Sequence, residues 1–185
     1  MSDKPRFPRS VALSVARELA AALKPVTERL LIVGSVRRRK QDVGDIELLF
    51  IPKFVSRPVD LFGDAPFDLS EEVIAALENK EVLVRRQKSN GAATFGPEIK
   101  LMRHVKSCLP VDFFSSTDAN WFNLMVCRTG PMESNVRICD AAIKKGWHWN
   151  PYSPGFWRPG EKRQMNSERD VFEFVGLKYQ EPWNR

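Results

Sequence analysis

The chain has 185 residues, of which 43% are hydrophobic and 28% charged, and its formal net charge is +6. This is the composition of an ordinary globular protein, long enough for one large domain or for a domain with a small lobe. Its three cysteines form no Cys-x-x-Cys pair, which argues against a disulfide framework or a zinc site, and no apolar run is long enough to span a bilayer. The basic balance favours a polyanionic partner, and we predict a soluble, cytoplasmic monomer.

In the first third of the chain, the pattern of apolar residues predicts a helix followed by two strands. Residues 10–23 place apolar side chains at helical spacing, and residues 30–33 and the run ending at Phe50 are short, apolar and rich in branched residues. Between the two strands, Gly34-Ser35 can open a short helix. The free N–H groups of its first turn would face whatever binds there.

In the middle of the chain, the sequence pattern predicts a proline-containing loop or insertion, then a helix, then a set of strands. The helix begins after an N-cap at Ser70, with acidic residues in its first turn. Pro110 argues against a central position for the strand that contains it. The predicted ranges are 53–68 for the loop, 69–79 for the helix, and 81–88, 92–95, 99–105 and 109–114 for the strands.

From residue 117 onwards the pattern becomes mainly helical, and we place a lobe boundary at residues 116–119. A stretch rich in Pro, Gly and Trp follows two helices, and Ser167 with Asp170 predicts an N-cap close to a capping box. The predicted helices are 119–128, 133–145 and 171–175, and the Pro, Gly and Trp-rich stretch is 152–163.

Three acidic residues are placed where an unpaired charge would be costly. Asp45 and Glu47 follow a basic cluster and point to the same side of the second strand, because side chains alternate along a strand. Asp112 is the single acid in the apolar run 109–114. Burying such a charge unpaired costs several kcal/mol, and divalent cations offset that cost. Three carboxylates on adjacent strands could hold two Mg²⁺ ions about 3.5–4 Å apart. The basic cluster Arg37 to Lys40 indicates a phosphate ligand.

The order of these motifs resembles the DNA polymerase X family, the polymerase-beta-like enzymes. The signature Gly34-Ser35-x-Arg37-Arg38, followed by Gly44-Asp45-x-Glu47, is similar to the family's nucleotide-binding and metal-binding motif. The match continues through the third-carboxylate strand to a closing segment around Ser167-Glu168-Arg169-Asp170. The resemblance implies an α+β fold. Residues 1–117 would form a nucleotidyltransferase palm, a small mixed or antiparallel sheet flanked by helices, and residues 118–185 a small α/β thumb.

The resemblance also implies roles for individual residues. Asp45, Glu47 and Asp112 would be the catalytic acids that bind two Mg²⁺ ions, with Mn²⁺ as a substitute, and Asp112 would take the proton of the primer 3′-hydroxyl. The nucleotide-binding residues would be Gly34, Ser35, Arg38, Gly44, Arg128, Gly130 and Asn135. Four further basic residues would bind DNA: Lys88, Arg103, Lys144 and Arg158. The partners would be primer–template or gapped DNA and a dNTP or rNTP.

The chain departs from the family's pattern at three points. Glu47 stands where the family usually has Asp, which affects metal preference and rate. Cys127-Arg128 replaces an aromatic pair that packs near the sugar, so we expect relaxed sugar selection and a contact of Arg128 with phosphate or base. The chain begins at the palm, so we expect the minimal palm-plus-thumb form without lyase activity.

Three functions stay open at this point. The leading one is a template-directed DNA polymerase that fills short gaps in DNA repair. The second keeps the fold but transfers nucleotides without a template, to nucleic acid or to another acceptor. The third is a non-catalytic nucleic-acid-binding module, against which the presence of all three acids argues.

Overall fold

In a computed structural model of the chain, residues 5–60, 63–87, 91, 94–153 and 155–185 are described. The helices are α1 (Arg9–Leu23), α2 (Gly34–Arg37), α3 (Leu69–Asn79), α4 (Trp121–Thr129), α5 (Met132–Lys144) and α6 (Glu168–Phe174). The strands are β1 (Phe7–Pro8), β2 (Thr27–Ile32), β3 (Asp42–Val43), β4 (Ile46–Pro52), β5 (Phe54–Asp60), β6 (Gly63–Asp68), β7 (Leu83–Arg85), β8 (Ile99–His104), β9 (Pro110–Ser115), β10 (His148–Asn150), β11 (Gly155–Arg158) and β12 (Glu161–Arg163).

The main sheet has the strand order β2-β4-β9-β8-β7. Strands β4 and β9 are parallel, whereas the other neighbouring pairs are antiparallel. The predicted α+β class with a mixed sheet is therefore confirmed. The prediction that Pro110 keeps its strand from the centre is wrong. Proline is tolerated there because Pro110 is the first residue of β9, where a missing N–H costs little.

Strand β4 is buried on both of its faces. Ile46, Leu48 and Phe50 pack with α1 in one hydrophobic core. The opposite face, with Leu49, packs against Trp121 and its neighbours on α4 in a second core. The second face is apolar because the C-terminal half of the chain covers it.

The C-terminal part of the chain has a hydrophobic core of its own. Phe156 and Val171 are fully buried in it. The stretch predicted only as rich in Pro, Gly and Trp contributes β11 and β12 to a three-stranded antiparallel sheet with β10. Ser167 caps α6 as predicted, since its hydroxyl accepts a hydrogen bond from the Asp170 N–H at 3.0 Å. None of the helices described is long and apolar enough to cross a bilayer.

Two local predictions are wrong. The segment predicted as a loop forms the β5–β6 hairpin, in which Pro58 and Pro66 are tolerated because a two-stranded ribbon has only edge strands. The N-cap of α3 is Asp68 instead of Ser70. The Asp68 carboxylate accepts hydrogen bonds from both the backbone N–H and the hydroxyl of Ser70, at 2.7 and 2.6 Å.

Candidate active site

Two of the three predicted acids lie directly opposite each other on neighbouring parallel strands. Glu47 on β4 is paired in the sheet register with Asp112 on β9. Asp45 lies just before β4 and is partly buried. Because directly opposite residues of paired strands share a face of the sheet, Glu47 and Asp112 point to the same side. The N-terminal ends of these two central strands therefore bring acidic side chains together in a largely buried place.

The electrostatics of the two buried acids reflect this crowding. Burial, followed by the negative charges of Asp45 and Asp112, raises the pKa of Glu47 to about 8, although Arg128 and Arg38 act in the opposite direction. Burial also raises the pKa of Asp112, against the opposing charge and hydrogen bond of Arg86. The protein therefore holds these carboxylates where a further positive charge would stabilise their ionised forms.

Each of the two buried acids faces an arginine. Nη1 of Arg128 lies 4.0 Å from Oε1 of Glu47, and its guanidinium carbon lies 3.8 Å from the centre of the Phe114 ring. Nη2 of Arg86 lies 2.5 Å from Oδ1 of Asp112. These guanidinium groups partly compensate the charge that the three acids bring together.

The side chains fit a divalent cation by their chemistry. In the part of the chain that the structure describes, no three acidic, His or Cys side chains converge as a ready-made metal site. Carboxylate oxygens are nevertheless the ligands that Mg²⁺ prefers, and the charges of Asp45, Glu47 and Asp112 act on one another. The donor set is therefore suited to Mg²⁺.

The turn from β2 into α2 lies against Glu47. Gly34 has a φ of +67°, a region that favours glycine, and a Cβ added to it would overlap Oε2 of Glu47. Ser35 follows, and its hydroxyl is buried with no hydrogen-bond partner among the residues described. An unsatisfied buried hydroxyl at the start of a helix is available to a ligand that the structure does not contain.

A cavity of about 390 Å³ opens beside this turn. It is lined by three basic and three other polar residues: Arg6, Arg38, Lys40, Ser35, Gln41 and Asp42. The sequence predicts no role for Arg6, whereas Lys40 belongs to the basic cluster that indicates a phosphate ligand. Arg6 is brought here because β1 pairs with β3, so that its Nη1 lies 3.5 Å from the Cβ position of Gly44. The size and the basic lining of the cavity suit an anion such as a phosphate group.

The basic cluster Arg37 to Lys40 is divided between two tasks, which corrects the prediction that it forms one phosphate site. Arg37 donates two hydrogen bonds of 2.8 Å to the carboxylate of Glu168 and one of 2.7 Å to the Thr129 hydroxyl. The guanidinium of Arg39 lies 4.2 Å from the Trp183 ring centre. These two residues join the N-terminal half of the chain to the C-terminal half. Only Arg38 and Lys40 line the cavity.

The predicted nucleotide-binding residues of the second half lie around the end of α4. Arg38 donates a hydrogen bond to the carbonyl of Thr129, and its Nη1 lies 3.0 Å from the Cβ position of Gly130. Asn135 on α5 donates from Nδ2 to the carbonyl of Cys127 at 2.9 Å. Gly130 is thus close to Arg38, whereas the amide N–H of Asn135 bonds within the protein. The roles of Arg128, Gly130 and Asn135 in nucleotide binding stay predictions.

The predicted DNA-binding residues lie on separate elements. Arg103 on β8 and Lys144 at the end of α5 are exposed. Arg158 on β11 is also exposed, but its Nη2 is paired with Glu161 at 2.5 Å. Lys88 lies outside the described residues. A role in DNA binding stays a prediction for all four residues.

Proteins with similar sequences are DNA polymerases. Residues 124–185 match a family model described as the DNA polymerase beta thumb. The chain is 22% identical over 174 residues to the DNA polymerase/3′-5′ exonuclease PolX of Bacillus subtilis (strain 168). This alignment covers 93% of the chain but only 27% of the relative, so the chain spans about a quarter of the length of this curated protein.

Two solved structures of Leishmania infantum polymerase beta have the same fold. Its ternary P/T complex is 22% identical with a TM-score of 0.74, and its ternary gap complex is 21% identical with a TM-score of 0.76. Both matches cover 98% of the present chain, and 77% and 71% of the respective solved chains. Taken together with the thumb model and PolX, they confirm the resemblance to the DNA polymerase X family that the sequence predicts.

Proposed function

We propose that this polymerase X-like chain is a DNA polymerase that adds nucleotides to a primer 3′-hydroxyl, in short gaps of the kind that arise in DNA repair. The observation that carries the proposal is the placement of Glu47 directly opposite Asp112, beside the Gly34–Ser35 turn. Nucleotidyl transfer requires acids that bind metal ions and, beside them, a turn that can bind phosphate. The names of the similar proteins support the same class of reaction.

In this proposal, Asp45, Glu47 and Asp112 hold two Mg²⁺ ions, for which Mn²⁺ can substitute. Such cations neutralise charge on the triphosphate and lower the pKa of the attacking hydroxyl. Asp112 accepts the proton of the primer 3′-hydroxyl. The hydroxyl oxygen then forms a bond to the α-phosphorus of the nucleotide, the bond to the β-phosphate oxygen breaks, and pyrophosphate leaves.

The basic cavity is the proposed place for the outer phosphates of the nucleotide. Ser35 and Arg38 line it, and the buried Ser35 hydroxyl lacks a partner among the described residues. Lys40, a member of the predicted basic cluster, and Arg6, for which the sequence predicts no role, add further donors. The start of α2 adds backbone N–H groups, which favour an anion.

Transfer without a template is the second candidate function, and one observation favours it. Asn135, one of the predicted nucleotide-binding residues, donates its amide N–H to the Cys127 carbonyl. A side chain engaged in this way does not offer that donor to a base pair. The acceptor would then be a nucleic acid 3′ end or another hydroxyl.

Primer extension on a gapped duplex tests the proposal. Each dNTP and each rNTP is offered singly with Mg²⁺ or Mn²⁺, on templated and on untemplated primers. We expect extension that follows the template base and is lost in Asp112→Asn. Asp118→Asn is the matched control, because Asp118 is 75% exposed and pairs with Arg29 on the surface.

The outcomes separate the candidates. Extension that ignores the template base would replace the leading proposal with the second. Full activity in Asp112→Asn would contradict the assignment of the acids. Similar rates with dNTPs and rNTPs would support relaxed sugar selection at Cys127-Arg128, whereas strict use of dNTPs would contradict it.

A further inference from the structure

We infer that Arg86 is a positioning residue for Asp112, which it orients as a metal ligand from a neighbouring strand. The inference rests on the proposed function, because it assigns a cation to the same carboxylate. It rests on one contact in particular. Nη2 of Arg86 donates to Oδ1 of Asp112 in a largely buried ion pair, with 28% of the Arg86 side chain and 12% of the Asp112 side chain exposed.

The register of the sheet explains how Arg86 reaches the site. Asp112 on β9 is opposite Glu47 on one side and opposite Leu101 of β8 on the other. Arg86 follows the last residue of β7, and its backbone N–H donates to the Leu101 carbonyl at 3.1 Å. These four residues therefore form one row across the sheet. Because residues in a row share a face, the guanidinium of Arg86 extends over Leu101 to Asp112.

The contact leaves the carboxylate able to bind a cation. An ionised carboxylate has about four acceptor sites, and the contact described occupies one oxygen, Oδ1 of Asp112. A metal-binding carboxylate is usually held by a hydrogen bond from a residue outside the coordination sphere, which fixes its orientation. Arg86 makes such a bond. Its Nε is buried and makes no hydrogen bond to any residue that the structure describes. Among the described residues, the guanidinium of Arg86 is hydrogen-bonded to Asp112.

The neighbouring residue provides a matched control. The Nε of Arg85 donates to Glu78 at 2.8 Å, and its guanidinium carbon lies 3.8 Å from the Phe95 ring centre. Half of the Arg85 side chain is exposed, at 54%. Arg85 therefore carries the same charge at the preceding position of the chain, and its described contacts are with Glu78 and Phe95 instead of an acid of the site.

The experiment measures Mn²⁺ binding to the free, full-length protein by electron paramagnetic resonance, without nucleotide or DNA. We expect Arg86→Met to weaken Mn²⁺ binding about 10- to 100-fold, the usual effect of removing a hydrogen-bonding partner of a metal ligand. Arg85→Met should bind Mn²⁺ like the wild type. Arg86→Lys, which keeps the charge, should restore part of the affinity. In the background of Asp112→Asn, Arg86→Met should have little further effect, because the two residues act as a pair.

The controls distinguish failure of this inference from failure of the proposed function. If wild type binds Mn²⁺ and Arg86→Met binds it equally or more tightly, Arg86 does not position Asp112, whereas the metal site stands. If wild type itself binds no Mn²⁺, the metal site and this inference are both overturned. Urea unfolding checks that each variant is folded, and Arg86→Gln replaces Arg86→Met if the latter is not.

Discussion

Two glutamates of this chain lie among arginines, but their pKa values are shifted in opposite directions. Glu168 on α6 receives two hydrogen bonds from Arg37 and one from Arg185, at 2.8, 2.8 and 2.9 Å. Glu47 on β4 has the nitrogen of Arg128 only at 4.0 Å and shares its surroundings with two further acids. The pKa of Glu168 lies below its ordinary value, whereas that of Glu47 is raised to about 8.

The difference supports a structural role for Glu168 and agrees with the role in the reaction that we propose for Glu47. A carboxylate whose acceptor sites are filled by guanidinium groups gains nothing from a cation, and Glu168 joins the two halves of the chain through Arg37. Glu47 is under-compensated, which destabilises the ionised form until a positive ligand arrives. Strongly perturbed acids of this second kind are typical of functional sites. The comparison predicts that mutations at the two positions affect different properties.

The largest effect on stability should come from Glu168→Gln. This change leaves the guanidinium of Arg185, whose side chain is fully buried, without its ionic partner. Removing one partner of a buried ion pair costs about 3–5 kcal/mol, so we expect a loss of this size in urea unfolding. The control is Glu173→Gln, which breaks an exposed pair with Arg169 and should cost less than about 1 kcal/mol. Equal effects of the two changes would mean that Glu168 does not hold the halves together.

Glu47→Gln should show the reverse pattern. The change removes a carboxylate that is repelled by Asp45 and Asp112, so the free energy of unfolding of the metal-free protein should not fall. Nucleotide incorporation should fall about 100-fold or more, because metal ions contribute several kcal/mol to the transition state. Steady-state primer extension and urea unfolding of the same preparation test both statements. A large loss of stability with activity retained would make Glu47 a structural residue like Glu168.

The sequence predicts the acids of this site better than their partners. Asp112 stands out because it is the single acid in an apolar strand, and Glu47 because it alternates with buried Ile46 and Leu48. Arg86 carries no such signal. Its contact depends on β8 lying between β7 and β9, and strand order is set by packing between distant segments. Arg37 is separated from Glu168 by 131 residues, so its neighbours alone favour the phosphate-binding interpretation, which the structure corrects.

A similar limit applies to the fold. The helices α1, α3 and α5 follow from the spacing of their apolar residues, and the structure contains all three within a few residues of the predicted bounds. The hairpin of β5 and β6 does not follow from the sequence, because Pro58 and Pro66 are typical of loops. Whether proline is tolerated depends on which strand edge is free, and that is a property of the folded sheet.

Gly34→Ala would test how closely Glu47 lies against the turn. Alanine at φ +67° is strained, and its Cβ would also overlap the Glu47 carboxylate. Gly160→Ala is the matched control, because Gly160 has a φ of +79° with no atom within 4 Å of the Cβ position. We expect about 1–2 kcal/mol for the control from backbone strain alone and about 1–3 kcal/mol more for Gly34→Ala from overpacking.

A second substitution separates strain from overlap at this position. Glu47→Asp shortens the acid by one methylene, so Gly34→Ala should cost less in that background, while Gly160→Ala should cost the same. Urea unfolding of wild type, Gly34→Ala, Glu47→Asp and the double variant gives the coupling energy. A coupling energy of zero between positions 34 and 47 would contradict the close contact.

The smallest effect that we predict is a dependence of stability on acid pH that belongs to Glu168. Burial by itself raises the pKa of this carboxyl, but the hydrogen bonds and charges of Arg37 and Arg185 outweigh burial and hold the pKa below 4.5. In the unfolded chain the pKa returns towards its ordinary value, so the unfolded state binds more protons between the two values. The stabilisation is therefore complete above about pH 4.5 and is lost as the pH falls through the folded-state pKa.

Urea unfolding at a series of pH values tests this dependence. The free energy of unfolding should fall more steeply towards acid pH in wild type than in Glu168→Gln, because glutamine does not titrate. Parallel curves for the two proteins would show that folding does not lower the pKa of Glu168. The contrast between the two glutamates would then rest on the raised pKa of Glu47 alone.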